Sequence, residues 1–327
     1  MEKIIFMGTP QFAATILSGL LSSPYEVLAV VTQPDRPVGR KRVLTPSPVK
    51  ELALEHDLPV YQPEKISGSK EVDELIALGA DLIVTAAYGQ FIPSRLIEAP
   101  GYSAINVHAS LLPKYRGGAP IQYAVWNGDK ETGISLIYMT KQMDAGNILA
   151  QAATPILPSD DSGTLFERLA DIGRDLLLET LPQLFAGEVN AWAQAESDVV
   201  FSPTLTRAQE QIDWSQTATE IANHVRAFRP APGTYTRIDD KRLKVWAGEA
   251  VTGEQAMDQS GEVGEVLALT DTALIVQAGA GSQFAITDWQ ESGKKRMTVA
   301  QARNGLKEAD WLGQVFELPM QGDTHEA

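Results

Sequence analysis

No cysteine occurs in the 327 residues. That absence removes disulfides, thiolate nucleophiles and cysteine-bound zinc together, and four scattered histidines leave little from which to build another transition-metal site, so no metal is expected. Nor does any stretch reach the roughly 18 apolar residues that a helix needs to cross a bilayer. The amino terminus, MEKIIFMGTPQF, has a short apolar run and no signal-peptide layout. These features lead us to expect a cytoplasmic chain with no membrane partner. Positive charge is scarce: 27 Lys and Arg stand against 42 Asp and Glu, a formal charge of -15. So acidic a protein is a poor general binder of nucleic acid, and any polyanionic partner needs a local basic strip. With 44% hydrophobic residues and no long polar low-complexity tract, the chain can bury a large core and is long enough for two domains.

What is present centres on Ile105 to Pro120, INVHASLLPKYRGGAP, and on Met143 to Gly146, MDAG. In Ile105-Asn106-Val107-His108 apolar and polar residues alternate, so an extended strand puts Asn106 and His108 on one face and Ile105 and Val107 on the other. Ser110, Pro113, Gly117, Gly118 and Pro120 then supply loop chemistry at the strand's carboxyl end, where open α/β sheets bind ligands.

Upstream, Lys3 to Met7 and Glu26 to Thr32 read as buried strands flanking a helix over Gln11 to Leu21, a βαβ opening. Gly8 is followed by Pro10 and Phe12 instead of further glycines, so the dinucleotide fingerprint is missing. Gln33 to Lys50 is dense in proline and carries Arg36, Arg40, Lys41, Arg42 and Lys50 against the single acid Asp35. It is either a solvated surface loop or the basic strip that steers an anionic substrate. Helices are expected around Val49 to His56 and Ser69 to Leu78, and strands at Pro59 to Tyr61 and Asp81 to Ala86. After them Tyr88 and Gly89 place an aromatic and a glycine in another loop at the same edge. A helix at Ile121 to Asn127, strands at Thr132 to Met139 and near Ile148 to Ala153, and a long helix from about Thr164 to Phe185 complete a doubly wound, mainly parallel, Rossmann-like sheet.

From Gly187 the texture turns polar, as in a linker. Beyond it, a helix near Ala218 to Phe228 precedes short strand-like runs at Gly233 to Ile238, Arg242 to Trp246, Gly264 to Leu269, Ala273 to Gln277 and Gln283 to Trp289, the pattern of a small antiparallel OB-like β-barrel. Basic residues recur there at Arg237, Lys241, Arg242, Lys244 and Lys294 to Arg296, and the tail from Pro319 to Ala327 is expected to fray. The expected division is a catalytic domain over 1-190, a linker over 191-210 and the barrel over 211-327.

Asn offers an amide donor and His a proton acceptor near neutral pH, the pair needed to polarise a carbonyl and manage protons in acyl transfer; a nearby Asp would orient or charge the imidazole. Asn106, His108 and Asp144 read as that set, at the ends of two parallel strands. No serine or threonine occupies a nucleophile elbow, so direct transfer is expected, without a covalent acyl-enzyme.

Asn-x-His, Ser-Leu-Leu-Pro, Arg-Gly-x-x-Pro and Asp-x-Gly in this order resemble the folate-dependent formyltransferases. Gly8 to Ala13, Gln33 to Pro37, Thr45 to Lys50, Ala87 to Gly89 and Ile212 to Trp214 extend the resemblance, along almost the whole chain, to the methionyl-tRNA formyltransferases. Arg229-Pro230-Ala231-Pro232 departs from the family's pattern, in which many members have an asparagine and a bulky aromatic. The resemblance implies transfer of a formyl group from 10-formyltetrahydrofolate to the α-amino group of methionine on initiator tRNA, by direct attack through a tetrahedral intermediate. It implies a catalytic centre of Asn106, His108 and Asp144, and a folate site lined by Ser110, Leu111, Leu112 and Pro113, to which Tyr88 and Gly89 are added. Arg36, Arg40, Lys41 and Arg42 would contact the tRNA acceptor end, the barrel its phosphates, and a monomer is expected. Two other readings stay open here: an amino-sugar nucleotide formyltransferase, which shares both domains but lacks the basic insertion, and a non-catalytic RNA-binding protein on the same fold.

Overall fold

The computed structural model describes residues 1–39, 41–239, 241–252 and 256–319, and the chain divides into two units. The first comprises Met1–Pro120, Glu131–Pro155 and Leu165–Pro203; the second comprises Ile121–Lys130, Ile156–Thr164 and the described part of Thr204–Ala327.

The first unit opens with β1 (Lys3–Gly8), α1 (Gln11–Leu21) and β2 (Glu26–Val31). Ile4, Ile5, Phe6 and Met7 are all buried, as a strand covered on both faces requires. The proline-rich stretch forms a separate two-stranded hairpin of β3 (Arg36–Val38) and β4 (Val43–Thr45). Helix α2 (Pro48–Glu55) starts where Ser47 Oγ accepts the Lys50 amide at 3.1 Å and Pro48 fills the first helical position. There follow β5 (Val60–Tyr61), α3 (Glu71–Ala77), β6 (Leu82–Ala86), α4 (Ser94–Ile97), β7 (Ala104–His108) and β8 (Lys114–Arg116). Helix α5 (Pro120–Trp126), which after Pro120 belongs to the second unit, leads to β9 (Glu131–Tyr138), β10 (Ile148–Pro155), α6 (Ser162–Phe185), which enters the first unit at Leu165, and the short β11 (Val200–Phe201).

The seven-stranded sheet runs β10-β9-β7-β6-β1-β2-β5. Strands β5, β2, β1, β6 and β7 are parallel, so the loops after Gly8, Val31, Ala86 and His108 share the carboxyl edge. Strand β9 is antiparallel to β7, with Asn106 opposite Ile137 and His108 opposite Ser135. This corrects the expectation that Asn106, His108 and Asp144 sit at corresponding ends of two parallel strands. Strand β9 ends at Tyr138, opposite Ile105 near the start of β7, and it is the return through Thr140 to Asn147 that carries Asp144 back to Asn106 and His108.

The second unit is an antiparallel, OB-like sheet in the order β12-β13-β16-β15-β14, with β17 added to β16. Its strands are β12 (Thr234–Ile238), β13 (Lys241–Ala250), β14 (Val266–Leu269), β15 (Leu274–Gln277), β16 (Gln283–Glu291) and β17 (Met297–Thr298). Register shifts between Val245 and Gly248 let β13 bend around a core of Trp214, Ile221, Val245, Phe284, Ile286 and Phe316. Helix α7 (Ala218–Ala227) is fixed at its start by a capping box between Thr217 and Glu220, and α8 (Val299–Ala302) by one between Thr298 and Gln301. The imidazole of His224 is stacked 4.7 Å from the Trp126 ring and donates Nε2–H to the Gln209 carbonyl at 2.7 Å. Burial lowers its pKa to about 4, so it is a neutral packing residue. The expected frayed tail lies outside the described residues from 320 onward.

Candidate active site

Asn106 and His108 project from the end of β7 toward the turn that carries Asp144. The Asn106 amide is oriented from behind: Thr85 Oγ1, at the neighbouring position of β6, donates to Asn106 Oδ1 at 2.8 Å. That contact turns the Asn106 amide nitrogen to Asp144 Oδ1, 3.3 Å away, and one N–H remains for another acceptor. His108 Nε2 lies 2.9 Å from the Tyr115 carbonyl. A carbonyl only accepts, so Nε2 keeps its proton and Nδ1 is the ring nitrogen that faces Asp144 Oδ2, at 3.6 Å. The His108 side chain is only 6% exposed and that of Asp144 13%, which strengthens the interactions of the group by excluding water.

Asp144 has φ +50, an uncommon conformation for a residue with a side chain, and it is held from several directions. Oδ2 accepts the Gly117 amide at 3.0 Å. The Asp144 and Gly146 carbonyls both accept from Gln194 Nε2, at 2.7 and 2.8 Å. The glycines of the two motifs are there for space. A Cβ on Gly146 would stand 1.8 Å from the Tyr138 carbonyl oxygen, and one on Gly117, whose φ is +132, would stand 2.5 Å from that of Ser202.

The chain from Ser110 to Pro113 is pinned by Ser135 and Gln151. Ser135 Oγ donates to the Ser110 carbonyl at 2.6 Å and accepts the Leu112 amide at 3.0 Å, while Gln151 Nε2 reaches the Leu112 carbonyl at 2.9 Å. Ser110 is fully buried, its hydroxyl donating to the Lys114 carbonyl at 2.7 Å, and Leu112 is buried beside Ile137 and Ile148. Leu111 and Pro113 are half-buried and offer an apolar ledge.

Residues 2–181 match the formyl transferase family, and 204–307 match the formyl transferase C-terminal domain. The chain is 53% identical over 306 residues to the methionyl-tRNA formyltransferase of Lactiplantibacillus plantarum, covering 93% of this chain and 96% of that protein. It is 50% identical over 317 residues to the enzyme of the same name from Streptococcus equi subsp. zooepidemicus, covering 97% and 99%. The chain belongs to the methionyl-tRNA formyltransferase family. More distant proteins share the fold: a sugar 3N-formyl transferase, WlaRD, solved in the presence of dTDP and 5-N-formyl-THF, superposes with a TM-score of 0.65 at 18% identity over 90% of this chain and 99% of its own. HypX from Aquifex aeolicus, solved in complex with tetrahydrofolic acid, gives 0.60 at 19% identity over 92% of this chain and 46% of its own.

The other residues singled out in this family member fall into two groups. At the carboxyl edge, the Tyr88 carbonyl accepts from Thr9 Oγ1 and from Gln33 Nε2, both at 3.1 Å, which ties three loops together. The Tyr88 ring itself packs with Ile5, Met7 and Ile83, and burial pushes its hydroxyl pKa up to about 12. Tyr88 therefore presents main chain, not its ring. Gly89 is exposed with φ +87, and a Cβ there would meet only Gln33 Nε2 at 3.5 Å, so the space over it is open.

The basic residues form the second group. Arg36 pairs with Glu64 at 2.8 Å, and Lys50 with Asp35 at 2.7 Å beneath the hairpin. Hydrogen bonds from Gln62 and Lys50 hold the Asp35 carboxyl below the usual carboxylate range. Lys41 and Arg42 are exposed at the hairpin tip, beside exposed Val38, Val43 and Leu44, with no ion pair among the described residues; Arg40 lies outside them. On the barrel, Arg242 pairs with Glu210 and lies 3.6 Å over the Tyr235 ring, while Arg296 pairs with Asp288. Sequence reasoning missed Thr85, Ser135, Gln151 and Gln194. Each is an uncharged residue whose role exists only once distant segments meet.

Proposed function

We propose that this chain transfers the formyl group of 10-formyltetrahydrofolate to the α-amino group of methionine on initiator methionyl-tRNA, with Asn106, His108 and Asp144 as the catalytic residues. What supports this most is the joining of those three side chains, from β7 and from a turn about forty residues later, in one hydrogen-bonded group with the Gly117 amide. The acceptor is drawn from relatives of nearly equal length that carry the name methionyl-tRNA formyltransferase. The sugar-nucleotide reading rests on structures no more than 21% identical, and a non-catalytic reading leaves the group around Asp144 without a purpose.

The folate cosubstrate supplies an activated one-carbon unit at the formyl oxidation level. The residues proposed for it fit a flat ring: Leu111 and Pro113 offer apolar surface, the backbone of Leu112 is already satisfied by Ser135 and Gln151, and the space over Gly89 is open. An α-amino group has a reference pKa of about 7.7–8.0, so a useful neutral fraction exists near neutral pH and the site has more to gain from positioning than from a strong base. The free N–H of Asn106 is a donor for the negative charge that develops on the formyl oxygen. His108, when Nδ1 carries a proton, is a second. Asp144 holds the far side of both and takes part in relaying the amine's proton to the folate nitrogen, which departs as its bond to the formyl carbon breaks. Lys41, Arg42 and, outside the described residues, Arg40 are the proposed contacts to the acceptor end. Catalysis in the cytoplasm by a monomer completes the reading.

The test is formyl transfer with charged initiator tRNA set beside an amino-sugar nucleotide. Transfer to the tRNA alone is expected; transfer to the sugar alone would overturn the acceptor assignment.

A further inference from the structure

The geometry points to Gln194 and Arg116 as positioning residues for Asp144, so that the stretch from Trp192 to Ser202 is a working part of the active site. This inference rests on the reading in which Asp144 is catalytic. Both residues belong to the first unit.

The stretch is anchored at both ends. Trp192 exchanges main-chain hydrogen bonds with Ile148 at the start of β10, at 2.8 and 3.0 Å. The Ser202 carbonyl accepts the Ala119 amide, and the Ser202 amide donates to the Arg116 carbonyl at 2.8 Å. Between these anchors, Gln194 uses both amide hydrogens on the carbonyls of Asp144 and Gly146. Its oxygen accepts Arg116 Nε at 3.0 Å. The reversed amide would set –NH2 against a guanidinium and oxygen against two carbonyls, so the orientation is fixed. The Arg116 guanidinium is 1% exposed, and its remaining nitrogens meet the Glu196 carboxylate at 2.9 and 3.4 Å. The Arg116 hydrogen bond holds Glu196 below the ordinary carboxylate range.

A ring of interactions thus closes on one residue. It runs from the Asp144 carbonyl through Gln194 to Arg116, then along the chain to Gly117, whose amide returns to Asp144 Oδ2. Main chain at φ +50 is held by Gln194 while the carboxylate is held by the neighbour of Arg116. Loosening either contact lets the carboxylate move relative to His108 Nδ1 and Asn106 Nδ2. Neither Gln194 nor Arg116 approaches those two groups through any hydrogen bond of its own among the described residues, so both act through Asp144.

A double-mutant cycle on the full-length chain tests this. Gln194→Ala should lower kcat by about tenfold or more and move the KM for folate and for charged tRNA by less than about threefold, because misplacing a reacting group costs turnover before it costs binding. In an Asp144→Asn background the same change should cost less than about twofold, since the group it positions is already disabled. Gln194→Glu, which keeps the size of the side chain and its acceptor for Arg116 but has no hydrogens for the two carbonyls, should behave like Gln194→Ala and covers the case in which the alanine variant does not fold. Equal reductions in both backgrounds, or a raised KM with unchanged kcat, would overturn the inference. Full turnover in folded Gln194 variants, with Asp144→Asn inactive, would defeat the positioning role alone. An active Asp144→Asn would bring down the catalytic assignment and the positioning role with it.

Discussion

His108 Nε2 lies 2.9 Å from the carbonyl oxygen of Tyr115, and this contact decides which nitrogen of the imidazole is free to work. With Nε2–H committed to the main chain, only Nδ1 can exchange a proton at the Asp144 side of the ring. Nitrogen-15 spectra of labelled protein are expected to show the neutral ring carrying its hydrogen on Nε2, with Nδ1 bare. A neutral ring carrying its hydrogen on Nδ1 would contradict this.

Thr85 sets the Asn106 amide. Its single hydroxyl hydrogen has three nearby acceptors, of which Asn106 Oδ1 at 2.8 Å is the shortest contact. Thr85→Val removes the donor and frees the amide to rotate, so kcat should fall by about tenfold, toward the effect of removing a charge-stabilising donor outright. Folate binding should change little. An unchanged kcat in a folded variant would mean that Asp144 alone orients Asn106.

The hairpin tip should carry the salt dependence of tRNA binding. Lys41 and Arg42 are exposed without ion pairs among the described residues, whereas Arg36 is already matched by Glu64. Replacing Lys41 and Arg42 together with alanine should flatten the dependence of affinity on salt by about one unit of slope for each phosphate left without its cation, and Arg36→Ala by less. The KM for folate is the control, and a matching rise there would mean that the hairpin supports the folate loops instead.

His224 predicts acid sensitivity. Its pKa is about 4 in the folded chain, against the ordinary value of 6.5, because burial penalises the charged ring. Between those values the unfolded chain binds the extra proton, so the stability is present above pH 6.5 and is lost as pH falls toward 4, about 3 kcal/mol in all. Urea unfolding at pH 7 and pH 5 should show a smaller difference for His224→Gln, which keeps a donor for the Gln209 carbonyl but cannot titrate. Equal differences would remove His224 as a source of the pH dependence.

How legible was this in the chain? The sheet was readable because its strands are continuous apolar runs; β1 and β6 bury every residue from Ile4 to Met7 and from Leu82 to Ala86. Asn106, His108 and Asp144 were readable because polar residues interrupt an apolar strand and a glycine-containing turn. The direction of β9 was not, since an apolar strand reads alike in either sense and only the partner settles it. Gln194 was hidden for a related reason. Ala-Gln-Ala-Glu in a polar stretch has the texture of a linker, and nothing local to it says that its amide meets the carbonyls of Asp144 and Gly146 some fifty residues away. For Tyr88 the loop at the sheet edge is legible in the sequence but not the direction of the ring, which packs into the core.

The central claim is that Asn106, His108 and Asp144 perform the transfer. Single-turnover formylation of charged initiator tRNA, with both substrates saturating, measures the chemical step apart from binding. Asn106→Ala, His108→Ala and Asp144→Asn are each expected to slow that step by about 100-fold or more while folding and folate binding persist. Near-normal single-turnover rates in the three folded variants would contradict the claim.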